Sequence, residues 1–282
     1  MTLAPHQRRE LGTMVASGFA GLDLRVDLAI ARRLGATVLE ILPDWRVVTN
    51  ASEMGKVVRD AGFRVHSVHG CWGARNVTGA RIDLASTDPG TQNSSRDELR
   101  RCLDWLESAK GTCLIVHPGG LSAPEEQAAR RDALGAGLLS LADHAARSQR
   151  VVCVENMPRG VYPGSKTADL AHLLADLDRP ELALAIDTGH AHLVASAEEE
   201  TFAAGPRLRT THVHDNLGRQ DSHLPPGTGT IDWRAWARAL DRIEYRGPIM
   251  LECIRHLRDE PESLSEALMR LLEEIRIIHT VD

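Results

Sequence analysis

The segment from Thr211 to Trp233, THVHDNLGRQDSHLPPGTGTIDW, concentrates three histidines and three aspartates beside a Pro-Pro-Gly-Thr-Gly turn. His212 and His214 lie at the end of an apolar run typical of a strand, and Asp221 and His223 follow in a stretch without helical or strand periodicity. Imidazole and carboxylate groups are ligands for borderline divalent ions such as zinc or manganese. The segment is therefore either a metal-binding loop or a polar surface loop that contains histidines by chance.

The composition is that of a folded globular protein with a large core. Hydrophobic residues make up 43% of the 282 residues and charged residues 26%. The formal net charge of -6 argues against a broad nucleic-acid-binding surface, although bound cations would add positive charge. DNA is therefore a less favoured partner than a small molecule.

The cysteines and the apolar runs bear on the cellular compartment. Five cysteines are odd in number and mostly embedded in apolar runs, which favours reduced core residues over disulfides: Cys71, Cys102, Cys113, Cys153 and Cys253. The N-terminus has no apolar signal core, and no window approaches eighteen consecutive apolar residues. We expect a cytoplasmic protein without a membrane partner.

Short apolar runs alternate with longer amphipathic stretches about eight times, a pattern typical of β/α units around a parallel sheet. The predicted strands are Leu11–Ala16, Thr37–Ile41, Arg64–His69, Cys113–Val116, Val151–Glu155, Leu182–Asp187, Arg209–His214 and Ile249–Glu252. Eight such units in one chain predict a single α/β domain over residues 1–282, a (β/α)8 TIM barrel with its metal site at the C-terminal ends of the strands. A doubly wound open sheet is the alternative.

Amphipathic stretches between these strands predict helices, among them Asp23–Leu34, Arg96–Ser108, Gln127–Ala146, Thr167–Leu177, Trp233–Asp241 and Glu262–Ile278. Asp232 is a candidate N-cap, and Gly35, Gly62 and Gly111 lie where helices should end.

Potential metal ligands lie at or just beyond the ends of six successive predicted strands: His69, His117, Glu155, Asp187, His190, His212, Asp221, His223 and Glu252. In a parallel barrel these ends converge on one mouth, where barrel enzymes build their active sites. Carboxylates packed together there are costly unless a cation pairs with them. The distribution therefore predicts a shared metal site.

The motifs HSVHG, VHPGG, VENMP, IDTGH, HVHDN, DSHLPPGTG and LEC occur in this order along the chain. With them the chain resembles the xylose isomerase-like barrel superfamily, also called the AP endonuclease family 2 group, from about Leu11 to Ile278. Endonuclease IV of that group holds three zinc ions, and the resemblance implies all nine residues above as ligands. Sugar isomerases and epimerases of the group hold one ion, which implies only Glu155, Asp187, His212 and Glu252.

Some positions depart from the group. Gly227-Thr228-Gly229 stands where many members have Gly-Glu-Gly, and the early loops LPDWRVVTN and HGCWGARNVTG do not resemble the DNA-penetrating loops of endonuclease IV. We expect Trp72, Arg75 and His214 to contact the substrate, whereas Trp45 and Arg46 are candidates for the rim of the mouth.

Two reaction classes remain open. The first hypothesis is a hydrolase of phosphate esters or phosphodiesters with two or three ions, most simply zinc with manganese possible, in which Glu155 bridges ions and orients the attacking hydroxide. The alternative is a single-metal isomerase or epimerase of a sugar or sugar phosphate, in which Glu155 and Glu252 act as acid and base. A protein that only stores a ligand is disfavoured, because a storage site needs no open mouth.

Overall fold

Eight short parallel strands form the centre of the fold, and one or more helices follow each of them. The computed structural model describes residues 9–47 and 50–278, with side chains to residue 271. The N-terminal residues in which we expect no signal core lie mostly outside this range. The strands are β1 (Leu11–Ser17), β2 (Val38–Pro43), β3 (Arg64–His69), β4 (Cys113–Val116), β5 (Val151–Glu155), β6 (Leu182–Asp187), β7 (Leu208–His212) and β8 (Ile249–Leu251).

Neighbouring strands pair in chain order from β1 to β7, and β8 pairs with β1. The ring closes just beyond β7, where Val213 N donates to Met250 O (2.7 Å) and Glu252 N donates to Val213 O (3.1 Å). This closure confirms the predicted (β/α)8 barrel. The open-sheet alternative is wrong, because an open sheet has two unpaired edges and does not return its last strand to its first.

Two separate apolar clusters show how the strand side chains alternate. The larger cluster contains Leu114, Val152 and Leu184 with the helix residues that pack on the barrel. The smaller one contains only strand residues, namely Cys113, Ile115, Cys153, Ala183 and Ala185, with Val151 packed against it. Because successive strand residues point to opposite faces, the smaller cluster marks the interior of the ring.

The helices are α1 (Leu24–Arg33), α2 (Ala51–Asp60), α3 (Pro89–Ala109), α4 (Gln127–Ser148), α5 (Thr167–Leu177), α6 (Thr188–Val194), α7 (Ala197–Ala204), α8 (Trp233–Arg242), α9 (Ile254–Asp259) and α10 (Pro261–Ile278). Asp232 caps α8 as predicted, since its side chain accepts from Ala235 N. Gly35 and Gly62 follow α1 and α2 with φ of 80° and 85°. After α3, by contrast, the left-handed residue is Lys110 and not Gly111.

Four helices have no predicted bounds: α2, α6, α7 and α9, although the expected helix end at Gly62 corresponds to the end of α2. Helix α2 contains Gly55, a poor helix former, because a Cβ there would lie 2.3 Å from Ala109 O at the end of α3. Helix α3 begins at Pro89, earlier than the predicted Arg96. Its first turns are small and polar and lack periodicity, but Asp88 caps them and Pro89 occupies the first turn.

All five cysteines lie in the described part of the chain, and all are free and buried, as predicted. Of the helices described, none is long and apolar enough to cross a membrane.

Candidate metal centre

The ligand candidates on β4, β5 and β6 occupy the inward-facing positions next to the interior apolar cluster. Glu155 follows Cys153 by two residues and Asp187 follows Ala185 by two residues, and β4 reaches His117 in the same way. Glu155 and Asp187 are 1% and 0% exposed. Because every second strand residue points inward, Glu155, Asp187 and His117 reach the same level at the mouth of the barrel.

His212, at the end of β7, lies at the centre of this level. Its Nδ1 is 3.0 Å from Glu155 Oε1 and 2.9 Å from Glu252 Oε2, and its Nε2 is 2.9 Å from Glu40 Oε1. The imidazole is fully buried. Three carboxylates from three different strands or strand ends therefore surround one imidazole ring.

Four of the predicted ligands form a group that fits one divalent ion. Ligand atoms of Glu155, Asp187, His212 and Glu252 all lie within 4.8 Å of one another. Among the described residues, Oε2 of Glu155 and Oε2 of Glu252 are buried and make no hydrogen bond of acceptable geometry, although ring nitrogens lie 3.2 Å and 2.9 Å from them. Buried carboxylate oxygens are costly in that state, and a cation bound between them would satisfy both.

His69 and His117 lie on the other side of Glu155. Their Nε2 atoms are 3.7 Å and 3.2 Å from Glu155 Oε2, and His69 Nδ1 donates to Gly70 O (2.9 Å). His69, Glu155 and His212 form a second group whose ligand atoms lie within 4.8 Å of one another. The structure therefore brings these two histidines to the predicted mouth, at its β3–β4 side.

Asp221 organises the remaining predicted ligands. Its Oδ2 lies 3.2 Å from His190 Nε2 and 3.1 Å from His223 Nε2. The other ring nitrogen of each histidine faces a backbone carbonyl, His190 Nδ1 that of Asn156 (2.9 Å) and His223 Nδ1 that of Glu252 (3.0 Å). These contacts place the loop pair beside the four-residue group, as the sequence predicts.

The position of His214 corrects its expected role as a substrate contact. The side chain is fully buried, its Nε2 lies 2.9 Å from Asp187 Oδ2, and its ring stacks on His223 with centroids 4.0 Å apart. Residues two apart at a strand end point to the same side, so His214 enters the interior with His212. It belongs with Asp221 and His223, with which it forms a third ligand-type group.

Gly189 provides the room for His214. A Cβ at position 189 would lie 2.0 Å from His214 Cε1 and 2.5 Å from its Nδ1. The glycine of the IDTGH motif is thus explained by the close approach of a histidine ring to the backbone of α6.

Burial and the surrounding carboxylates shift the pKa of His212 in opposite directions. Burial lowers it, but Glu40, Glu252 and Glu155 outweigh burial and hold the pKa well above the usual range. For Glu155, burial raises the pKa, and the nearby His212 and His117 bring it well below the usual range. The metal-free centre is therefore an ion-paired cluster in which a bound cation would replace a proton.

The pKa values of Asp221 and its two histidine partners are also shifted by charged neighbours that outweigh burial. Burial lowers the pKa of His190, but Asp187 and Asp221 raise it to about 10. Burial likewise lowers the pKa of His223, and Asp221 and Glu252 raise it to about 10. Asp221 itself has a pKa well below its usual range, because the two histidines outweigh its burial.

Glu40 is a site residue that sequence reasoning missed. It lies within the apolar stretch VLEILP of β2 and not at a strand end, so neither its neighbours nor its position mark it. The only indication in the sequence is a charged residue inside an otherwise apolar strand, which is uncommon in a core.

Asp215 is a second missed residue, and it holds the loop that carries Asp221 and His223. Its carboxylate accepts hydrogen bonds from the backbone of Asn216, Gly227 and Ile231 and from the indole of Trp233, at 2.9–3.3 Å.

The Gly-Thr-Gly turn packs closely against this anchor. A Cβ on Gly229 would lie 2.3 Å from Asp215 Oδ1, so only glycine fits. Thr228, where a glutamate is common in the group, donates to Pro225 O (2.7 Å) and so contributes to the turn itself.

The expected substrate contacts Trp72 and Arg75 lie at the rim. Trp72 is edge-on to His69, with ring centroids 5.0 Å apart, and Arg75 Cζ lies 5.3 Å from the Trp72 ring centroid. Trp45 donates from Nε1 to His69 O (2.9 Å), and Arg46 binds Asp44 through two nitrogens. Trp45 and Arg46 are thus rim residues with structural partners, whereas Trp72 and Arg75 stay predictions as substrate contacts.

Sequence comparison identifies two relatives that are sugar epimerases. The chain is 27% identical over 257 residues to an L-ribulose 3-epimerase from Methylomonas sp., which covers 87% of this chain and 85% of that protein. It is 29% identical over 177 residues to a ketose 3-epimerase from Arthrobacter globiformis, which covers 60% of this chain and 59% of that protein.

Solved structures share the fold at lower identity. A 3-keto-D-glucoside 4-epimerase from E. coli has a TM-score of 0.77 at 18% identity and covers 94% of this chain and 100% of that chain. A D-allulose 3-epimerase from Methylomonas sp., in complex with D-allulose, has a TM-score of 0.72 at 22% identity and covers 95% of this chain and 98% of that chain.

These comparisons correct the functional hypothesis. The expected hydrolase of phosphate esters is wrong, because the relatives of stated activity named above are sugar epimerases. The hydrolase was inferred from the number of potential ligands. That number does not define the reaction, because converging histidines and aspartates can also form hydrogen bonds with the hydroxyls of a sugar. The comparisons support neither zinc nor a count of two or three ions.

A family model described as xylose isomerase-like TIM barrel matches residues 28–275, most of the chain. The motifs at the strand ends, the closed ring of eight strands and this match agree, and the chain belongs to the xylose isomerase-like TIM barrel family.

Proposed function

We propose that this protein is an epimerase that acts on a small ketose with one divalent metal ion and with Glu155 and Glu252 as acid and base. One observation carries the proposal: carboxylate oxygens of the two glutamates lie 3.0 Å and 2.9 Å from the same atom, Nδ1 of His212. The two residues come from β5 and from the end of β8, which β6 and β7 separate around the ring. The epimerase relatives support the reaction class.

The reaction requires a proton to leave one face of a carbon and a proton to arrive at the other. A bound divalent ion would polarise the carbonyl and a neighbouring hydroxyl of the sugar, which acidifies the C–H bond next to the carbonyl. One glutamate removes this proton, and the other returns a proton from the opposite side, so that the configuration inverts. The buried position of Glu155 keeps water from competing for the exchange.

The donor set supports one oxygen-preferring ion. Glu155, Asp187 and Glu252 supply carboxylate oxygens and His212 supplies one imidazole nitrogen, a set that suits manganese at least as well as zinc. The second cluster is held together by its own hydrogen bonds, and its less buried members His190, Asp221 and His223 are available to bind sugar hydroxyls, whereas His214 is fully buried behind them. Trp72 offers an apolar ring at the rim for the carbon face of the sugar.

The proposal is tested by proton exchange at carbon. The Mn²⁺-loaded protein is incubated in D₂O with a panel of ketoses, and deuterium at the carbon next to the carbonyl is measured by NMR together with the C3 epimer. Glu155→Gln and Glu252→Gln should each lower turnover by at least about 10²–10⁴-fold, because each glutamine keeps the shape but can neither transfer the proton nor give the ion a charged ligand. Glu107→Gln, on the exposed face of α3, is the matched control and should be unchanged.

Two results would contradict the proposal. One is the absence of deuterium incorporation and of a second epimer across the panel with metal bound. The other is full activity in both Glu155→Gln and Glu252→Gln. Conversion to an aldose without inversion would instead identify an isomerase.

A further inference from the structure

Glu40 is an unusual residue for its position in the fold. It is 0% exposed, and its neighbours Leu39 and Ile41 are buried residues of the larger apolar cluster, which lies between the strands and the helices. A carboxylate in such a place is costly unless every oxygen is paired, and an apolar residue of similar size would serve the core equally well. Packing alone therefore does not explain why a glutamate occupies this position.

The contacts of Glu40 are directed at one metal-ligand candidate. Oε1 is 2.9 Å from His212 Nε2, across the barrel from β2 to β7, and Oε2 accepts a hydrogen bond from Ser67 Oγ. Ser67 lies opposite Glu40 because the register of β2 and β3 shifts between Leu39 and Glu40. The register shift thus places Ser67 next to Oε2 of Glu40, while Oε1 faces the imidazole of His212.

The geometry fixes which ring nitrogen of His212 can bind a cation. Nε2 faces Glu40, an acceptor that is not part of the four-residue group, so Nε2 keeps its proton and donates it. Nδ1 faces Glu155 and Glu252 and is the nitrogen available to the four-residue group. A carboxylate that binds the distal N–H of a metal-bound histidine fixes the tautomer and orientation of the ring and makes the ligand more basic.

We propose that Glu40 is a positioning residue for metal binding: it holds the Nε2 proton of His212 so that Nδ1 faces the ion. The inference rests on the proposed metal site but not on the identity of the sugar. Glu40 acts through His212 and does not touch the substrate. Its contribution should therefore appear in metal affinity even when no sugar is present.

The test measures binding of Mn²⁺ alone to chelator-treated protein by titration calorimetry. Glu40→Leu removes the acceptor and should raise the dissociation constant about 10- to 100-fold. Glu40→Gln keeps a neutral acceptor oxygen and should raise it by a smaller factor. Ile41→Val, on the same strand, is the control: it removes a methyl group from the larger apolar cluster and should lower the melting temperature without changing the dissociation constant.

Each outcome is decisive. Wild-type affinity in both Glu40 variants overturns the inference, as does an equal loss of affinity in Ile41→Val, which would make the effect one of core stability. If Glu40→Leu does not fold, the result of Glu40→Gln decides. Failure of the wild type to bind Mn²⁺ would remove the proposed metal site itself, and so is distinct from failure of the Glu40 inference.

Discussion

His212 shows at the scale of one residue how this site is built. A single imidazole contacts carboxylates from β2, β5 and the end of β8, and every one of these distances is 2.9–3.0 Å. The ring balances the charge of these carboxylates, and under the proposed function it would also be a ligand of the ion. The same contacts would then serve the protein with and without metal, because a bound cation would replace a proton.

The histidines around Asp221 predict how the metal-free protein responds to pH. The pKa values of His190 and His223 are about 10 in the folded state, above the ordinary value of 6.5. A raised pKa contributes stability that is complete below about 6.5 and is lost as the pH rises towards 10. We expect the free energy of unfolding, measured with denaturant in the presence of a chelator, to fall between pH 6.5 and 10.

The matched variant for this prediction is Asp221→Asn, which removes the carboxylate that both histidines share. The dependence on pH should be flatter in this variant than in the wild type. Equal slopes in the two proteins over this range would contradict the prediction. High salt should weaken the dependence on pH without reversing its sign, since Asp221 and His223 are partly exposed and their ion pair is screened.

At the scale of an element, the loop between β7 and α8 depends on one buried carboxylate. Asp215 accepts four hydrogen bonds that fold the loop back on itself, and the loop in turn carries Asp221 and His223. Asp215→Ala should lower the free energy of unfolding by at least about 3 kcal/mol, because several buried donors lose a charged acceptor. Thermal or denaturant unfolding checks the value.

A second measurement separates loop disorder from a general loss of stability. In Asp215→Ala, limited proteolysis at 25 °C should cut first between residues 216 and 231. Asp232→Ala, which removes only the N-cap of α8, is the comparison and should cost about 1 kcal/mol without early cleavage in the loop. Wild-type protease resistance of the loop in Asp215→Ala would refute its anchoring role.

At the scale of the whole molecule, ion binding should link four consecutive strands of the ring whose ligands are far apart in the sequence. Glu155, Asp187, His212 and Glu252 come from β5, β6, β7 and the end of β8, and unfolding separates them. A ligand that binds only the folded state at 100 times its dissociation constant stabilises that state by about 2.7 kcal/mol. We therefore expect Mn²⁺ to raise the melting temperature of the chelator-treated protein.

Asp187→Asn is the control for this effect. Asparagine can still accept from His190 N but lacks the charge that an ion requires. The melting temperature of this variant should respond little to Mn²⁺. A rise equal to that of the wild type would show that the ion binds elsewhere on the protein.

Local sequence patterns were sufficient to predict most of the strands and the types of residue at their ends. Four of the eight strands have the predicted bounds, and the others differ only at their ends, because alternation within a strand and punctuation by turns are properties of neighbouring residues. The ligand types at the strand ends could be found in the same way, since the C-terminal ends of parallel strands share one mouth. The short helices α6 and α9 could not be predicted in this way, because their periodicity is weak.

The barrel itself decided what the sequence left open. Glu40 and His212 are 172 residues apart and meet only because the ring closes, and Asp215 gains its role only when Gly227 and Trp233 fold back to it. Such contacts leave no periodicity in the chain, because they depend on which strands face each other across the interior and not on adjacent residues. The residue types that can bind an ion were determined locally, whereas their partners and the geometry that orients them were determined by the closed ring.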